Sequence, residues 1–272
     1  MTWLAPPHLG LRACVVVPAR DEEERIGACI AALAAQVNVD PEAWEILLVL
    51  DGCTDSTAAR AAEAASVRPH LRLETIEGPG AGPGPARRLG MDAACARLHA
   101  VGRPDGLIAS TDADTVVAPD WLAAQIDAAA RGARAIGGRI ELSAPELALL
   151  PPGVAHRRAA QARRRHAPLL AAERAGGGTV EHWQFSGASL ALTAATYAEV
   201  GGLGEHTDLE DEALERALRR HGVPIERTLA VRVTTSARVT GRAARGLARD
   251  LARAAELERS EAPAHTATVE HP

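Results

Sequence analysis

Short apolar runs alternate with amphipathic stretches through the first half of the chain. Residues 13–17 (ACVVV) predict a buried strand stopped by Pro18. From Asp21, the run DEEERIGACIAALAAQ places Ile26, Ile30 and Leu33 at helical spacing, with acids crowding the first turn where the helix dipole favours them. Trp44 to Leu50 (WEILLVL) predicts a second buried strand. Asp51-Gly52 follows, and then Asp55-Ser56-Thr57 as caps for a helix through Ala65. A third strand is expected over Leu71–Ile76, a mobile loop over 78–85 (GPGAGPGP) and a helix over 86–99. Leu107–Ser110 predicts a fourth strand running into Thr111-Asp112-Ala113-Asp114, followed by a helix from Pro119 to about Ala130 and a strand over 133–142.

The second half is less regular. It holds a basic helical stretch (HRRAAQARRRHAPLLAAER), a turn into a strand over 183–193, a short helix ending at Gly201-Gly202, and an amphipathic helix over Leu209–Arg220. A strand over 229–234, a last helix over 242–258 and a disordered tail over 259–272 complete the expectation. Alternating strands and helices of these lengths imply an α/β fold with a Rossmann-like, mostly parallel central sheet and helices on both faces. The division expected is a ligand-binding half over 1–142 and a second half of the same domain over 143–258. Ligands of such sheets bind outside the carboxyl ends of the strands. Three of those ends carry acids: Asp21-Glu22, Asp51, and Asp112 with Asp114.

Composition narrows the partners. The 272 residues carry a net charge of −5 and only 2% aromatics, which points away from nucleic acid. Every basic residue other than histidine is arginine, so no step uses a lysine amine. Cys14, Cys29, Cys53 and Cys95 are scattered among small apolar residues, as free thiols of a reducing compartment would be. No stretch is apolar enough to span a bilayer and no secretion signal is evident, so the cytoplasm is the expected location.

Two carboxylates two residues apart just past a buried strand suit a hard cation, Mg²⁺ or Mn²⁺, shared with substrate phosphates. Asp112 and Asp114 have that placement, although D-x-D alone also occurs in acidic surface turns. Arg87 and Arg88, just after the glycine-proline run, are phosphate candidates because guanidinium forks match phosphate oxygens. The stretch with Arg157, Arg158, Arg163, Arg164 and Arg165 suits a phosphorylated acceptor, contact with an anionic membrane surface, or a merely solvated helix face. Trp121 and Trp183 suit sugar stacking or core packing.

Taken in order, VVVPARDEEERI, EILLVLDGCTDST, GPGPARRLGMDAA, IASTDADTVVAPDWL, FSGASLALTAATYAEVGGL and LEDEALERALRRHG resemble the motif set of glycosyltransferase family 2, over roughly residues 12–222. The resemblance implies a GT-A type fold and a nucleotide-sugar donor, with a UDP-sugar favoured. It implies that Pro18, Arg20 and Glu22 belong to the loop meeting the nucleoside, where Asp21 replaces the family's usual asparagine. It further implies that Asp51 reads the base, Arg87 lies near the diphosphate, and Asp112 and Asp114 serve the ribose and the metal. In the acidic pair Glu210-Asp211 the aspartate would be the general base, with Glu210, Trp183 and His182 near the acceptor. Some metal-dependent relatives use a C-terminal histidine as a ligand; here 234–242 reads TTSARVTGR, leaving Arg238 or Arg242 to meet the diphosphate instead.

Chemistry gives Asp211 an independent case, since glycosyl transfer needs a base for the acceptor proton and a dedicated base suits inversion. Its alternative role, with Glu210 and Glu212, is to favour the helix dipole. The expectation is a metal-dependent, inverting glycosyltransferase of the hexosyltransferase kind acting on a hydroxyl acceptor. A nucleotidyltransferase making a sugar nucleotide is the first alternative, but it calls for a glycine-rich basic loop where this chain has PARDEE. The second is a binding module without activity, against which Asp51, Asp112, Asp114 and Asp211 argue.

Overall fold

A computed structural model describes residues 4–204, 209–241 and 246–261. The expectation for Arg242 and that for the tail from 262 onward lie outside the described residues.

The first half folds as β1 (Ala13–Ala19), α1 (Ile26–Ala34), β2 (Trp44–Leu50), α2 (Thr57–Ser66), β3 (Leu73–Glu77), α3 (Pro83–Ala100) and β4 (Leu107–Ser110). Next come β5 (Thr115–Val117), α4 (Trp121–Ala130), β6 (Ala135–Leu142), α5 (Ala144–Leu147) and α6 (Val154–Ala175). The remainder is β7 (Leu190–Thr193), α7 (Ala194–Glu199), α8 (Glu210–Arg220), β8 (Ile225–Thr235) and α9 (Leu247–Glu261).

All eight strands join one sheet in the order β3-β2-β1-β4-β7-β6-β8-β5. β3, β2, β1 and β4 run parallel, as do β6 and β8, whereas β7 and β5 run antiparallel to their neighbours. Every residue of β1 and β2 is buried, as a central strand covered on both faces requires. The period of two divides β1 between two cores. Val15 and Val17 belong to one core with Ile26, Ile30, Leu33 and Trp121, while Cys14 and Val16 belong to another with Met91, Leu98 and Leu218. Each such aliphatic side chain contributes about 1.5–3 kcal/mol on full burial. A smaller cluster of Val154, Leu251, Ala254 and Ala255 packs α6 against α9. Among the described residues no helix is long and apolar enough to cross a membrane.

β5 and α5 are elements the pattern does not predict, β8 begins at Ile225 rather than 229, and α1, the 78–85 segment and α9 also differ from expectation. α1 begins at Ile26 rather than Asp21, so its first turn carries no acid. Asp21 sits in the left-handed region at φ 50°. The turn after it is clamped to the next loop: Thr54 N–H donates to Asp21 Oδ1, Glu22 N–H to Thr57 Oγ1 and Glu23 N–H to Asp55 Oδ2. Long-range hydrogen bonds thus outcompete helix propensity there. The 78–85 segment is a folded turn rather than a loop alone, because α3 starts at Pro83 and prolines suit a first helical turn. α9 continues to Glu261, three residues past the expected boundary.

Candidate active site

A cleft of about 540 Å³ opens at the carboxyl ends of β1, β2 and β4, a volume suited to a small-molecule ligand. Pro18, Arg20, Glu22, Asp51, Arg87, Asp112 and Asp114 line it, and Trp183, Glu210 and Asp211 face them from the second half. Residues from widely separated segments therefore share one cavity.

Asp51, almost completely buried at the end of β2, organises one wall. Its Oδ1 accepts from Gly80 N–H at 2.7 Å and Ala81 N–H at 3.3 Å, and its Oδ2 accepts from Gly82 N–H at 2.8 Å. Gly82, at φ 105°, turns the chain directly into α3. A carboxylate thus sits at the N-terminus of that helix, where the dipole favours it. Arg20 Nη1 donates to Gly80 O at 3.3 Å and lies 3.9 Å from Asp51 Oδ2.

Arg87 is the central tie. Its Nε donates to Glu210 Oε1 at 2.9 Å and its Nη2 to Asp112 Oδ1 at 2.6 Å. Its Nη1 reaches Ser110 Oγ at 2.5 Å and Gly187 O at 3.0 Å. The guanidinium is buried, yet the two carboxylates hold it firmly charged against that burial. Gly187 is required beneath it: a Cβ there would stand 2.4 Å from Arg87 Cζ. Neither Ser110 nor Gly187 was marked by the sequence pattern.

β5, a three-residue strand, pairs Thr115 with Thr235 of β8 and thereby brings Arg238 over Asp114. Arg238 grips both oxygens of Glu22, at 2.9 and 2.5 Å, and also approaches Asp114 Oδ2 at 2.9 Å. Burial, reinforced by the charge of Asp112, pushes the Asp114 carboxyl up to about 6. This oxygen-only pair, with its excess negative charge, fits a hard divalent cation. Such an ion would have to share or displace the Arg238 contact. Asp21, Cys53 and Asp55 form a second group whose potential ligand atoms lie within 4.8 Å of one another. Their hydrogen bonds serve the turn instead: Asp55 Oδ1 takes Thr57 N–H and hydroxyl, and Cys53 Sγ faces Ala19 O. Burial raises the Cys53 thiol, which disfavours the thiolate a metal needs.

Asp211 opens α8 inside the cleft. Its Oδ1 accepts from Glu212 N–H at 2.8 Å and its Oδ2 from Gly187 N–H at 3.4 Å. Burial, then the charge of Glu210, raises its carboxyl to about 6, against the pull of Ser186 and Arg87. A carboxylate poised there can take a proton from a hydroxyl near neutral pH. Trp183 lines the cleft, stacked on His166 at 5.8 Å with Arg158 5.9 Å from its ring centre. His182 does not line it. Its Nδ1 accepts from Gln184 N–H and its Nε2 meets Thr228 O, so both nitrogens serve the backbone. Burial lowers it to about 4.

Residues 14–176, more than half of the chain, match the family model described as Glycosyl transferase family 2. No match is found among curated protein sequences. Similar folds occur among solved structures. The mannosyltransferase PcManGT from Pyrobaculum calidifontis, in complex with GDP-Man and Mn²⁺, has a TM-score of 0.59 at 21% identity, covering 90% of this chain and 61% of that one. S. aureus TarS 1-349, in complex with UDP-GlcNAc, has a TM-score of 0.57 at 14% identity, covering 85% and 60%. Glucosyl-3-phosphoglycerate synthase from Mycobacterium tuberculosis, in complex with Mn²⁺, UDP-Glc and phosphoglyceric acid, has a TM-score of 0.55 at 18% identity, covering 92% and 80%. The chain thus spans about three fifths of the length of the first two. The chain belongs to glycosyl transferase family 2, and its fold is that of the GT-A glycosyltransferases.

Proposed function

We propose that this family 2 chain is a metal-dependent, inverting glycosyltransferase, of the hexosyltransferase kind, that moves a sugar from a nucleotide diphosphate, a UDP-sugar in preference, to a hydroxyl acceptor. The observation that carries the reading is the Arg87 bridge, which binds Asp112 on one side and Glu210, next to Asp211, on the other. One buried guanidinium thereby couples the strand-end acids to the carboxylate across the cleft. The solved structures of similar fold hold GDP-Man, UDP-GlcNAc and UDP-Glc, which supports a nucleotide-sugar donor. The four free cysteines support action in the cytoplasm.

In this mechanism Pro18, Arg20, Glu22 and Asp51 shape the nucleoside end, with Asp51 fixing the glycine turn. Arg87 and Arg238 orient Asp112, Asp114 and Glu22. Mn²⁺ or Mg²⁺ held by Asp112 and Asp114 would supply positive charge to the leaving diphosphate. Asp211 takes the proton from the acceptor hydroxyl as its oxygen bonds to the anomeric carbon. The bond from that carbon to the diphosphate oxygen breaks on the opposite face, and the nucleoside diphosphate leaves. A thermal-shift screen of nucleoside diphosphates with and without Mn²⁺ tests the reading. A ligand at a hundredfold excess over Kd stabilises by about 2.7 kcal/mol. The absence of any shift across the panel would refute it.

A further inference from the structure

The cleft extends beyond Asp211 into a basic end roofed by α6 and α9. Arg158 and Arg165 of α6, two helical turns apart, line it together with Arg249 and Arg253 of α9. Of the acids in the same half of the cleft, Glu210 is held by Arg87 and Glu215 by Arg227, which leaves Asp211, Glu212 and Asp250. Glu212 is already paired with Arg165 at 2.9 Å, and it follows Asp211 directly. Asp250 acts on Arg158 electrostatically without an ion pair between them. Arg158 lies against the Trp183 ring, and its Nε is buried with no hydrogen-bond partner. Burial and the like charge of Arg165 make its charged form harder to hold than usual. Burial without a partner at Nε is costly, and the rest of the guanidinium lines the cleft, where an acceptor can reach it.

We propose that Arg158, with Arg253 and Arg249, forms a subsite for an oxyanion carried by the acceptor, so that the acceptor is a hydroxyl compound bearing a phosphate or carboxylate group. This rests on the glycosyltransferase reading above and adds the acceptor's chemical class. A guanidinium fork matches the paired oxygens of either anion. Trp183, which lines the cleft beside Arg158, supplies apolar wall for the acceptor's carbon skeleton. Contacts run from Arg158 to Trp183, His166, Arg165 and Glu212, which adjoins Asp211, so an anion held at Arg158 can point its hydroxyl back toward the base. At the donor end Arg87 and Arg238 are paired with Glu210, Asp112, Glu22 and Asp114, and the donor diphosphate occupies that end in the proposed mechanism.

The test titrates the full chain with glycerol 3-phosphate, inorganic phosphate and glycerol by calorimetry, with UDP and Mn²⁺ saturating so that the diphosphate site is blocked. The phosphates bind and glycerol does not. Arg158→Ala weakens the phosphates by roughly ten- to hundredfold, as loss of a charge-assisted hydrogen bond requires, Arg158→Lys recovers part, and UDP affinity stays unchanged. Arg253→Ala, at an exposed helix position, weakens them less and keeps the test decisive if Arg158→Ala fails to fold. Sedimentation with phosphatidylglycerol or phosphatidylcholine vesicles separates the sources. Arginine-dependent pelleting with the first alone assigns the phosphate to a lipid headgroup, and binding of glycerol 3-phosphate alone assigns it to a soluble compound. Phosphates that bind no better than glycerol together with no preference for the anionic vesicles, or arginine variants with undiminished phosphate affinity, would overturn the subsite. Failure of UDP to bind the wild-type chain strikes the glycosyltransferase reading instead.

Discussion

Replacing Arg87 by methionine keeps most of the side-chain volume and removes the charge at the centre of the site. Four hydrogen bonds disappear, to Glu210, Asp112, Ser110 and Gly187. Glu210, with a side chain 8% exposed, is left as an uncompensated buried carboxylate, whereas Asp112, at 35%, can turn toward water. Breaking a buried pair costs about 3–5 kcal/mol, and the partial exposure of Asp112 places this case near the lower end. At about 2–4 °C per kcal/mol for a domain of this size, the loss is about 6–12 °C in Tm. Urea denaturation should show a lower midpoint with an unchanged slope. Glu210→Gln in the same background should recover part of the loss, because a neutral amide is less costly to bury than a carboxylate. A midpoint shift worth less than about 1 kcal/mol, the ordinary effect of a point substitution, would refute the reasoning that Arg87 is the electrostatic tie.

Asp211→Asn should lower kcat by about 10²–10⁴-fold, the usual worth of a general base, while nucleotide affinity holds in calorimetry. Because the Asp211 carboxyl is raised to about 6, the base form fills as pH rises through that value. The rate should therefore fall about tenfold per unit below pH 6, and a flat profile from pH 7 to pH 5 would exclude this base. Gly187→Ala places a Cβ 2.4 Å from Arg87 Cζ, so it should displace the guanidinium and depress turnover more than it depresses Tm. Parallel rate and melting measurements check this.

β1, β2 and β4 were legible because buried parallel strands are continuous apolar runs, and the acids closing them stand out against that background. β5 was not, because three residues carry no period and its partner lies 120 residues away in the Thr115–Thr235 pairing. The acids at 21–24 read as a helix start, but the Asp21 carboxylate accepts from Thr54 N–H and the Thr57 hydroxyl accepts from Glu22 N–H, which hold the segment in a turn. The glycine-proline segment read as mobile because nothing local orders it; the order comes from Asp51, some thirty residues earlier. Arg158 could not be singled out among five similar arginines until the phase of α6 set it beneath Trp183.

The most direct measurement is turnover of a panel of nucleotide sugars with Mn²⁺ by the wild type, Asp114→Ala and Asp211→Asn, read as release of nucleoside diphosphate. The mechanism predicts Mn²⁺-dependent release from one donor class by the wild type, lost in both variants while Asp211→Asn still binds the nucleotide. Full turnover in both variants would contradict it.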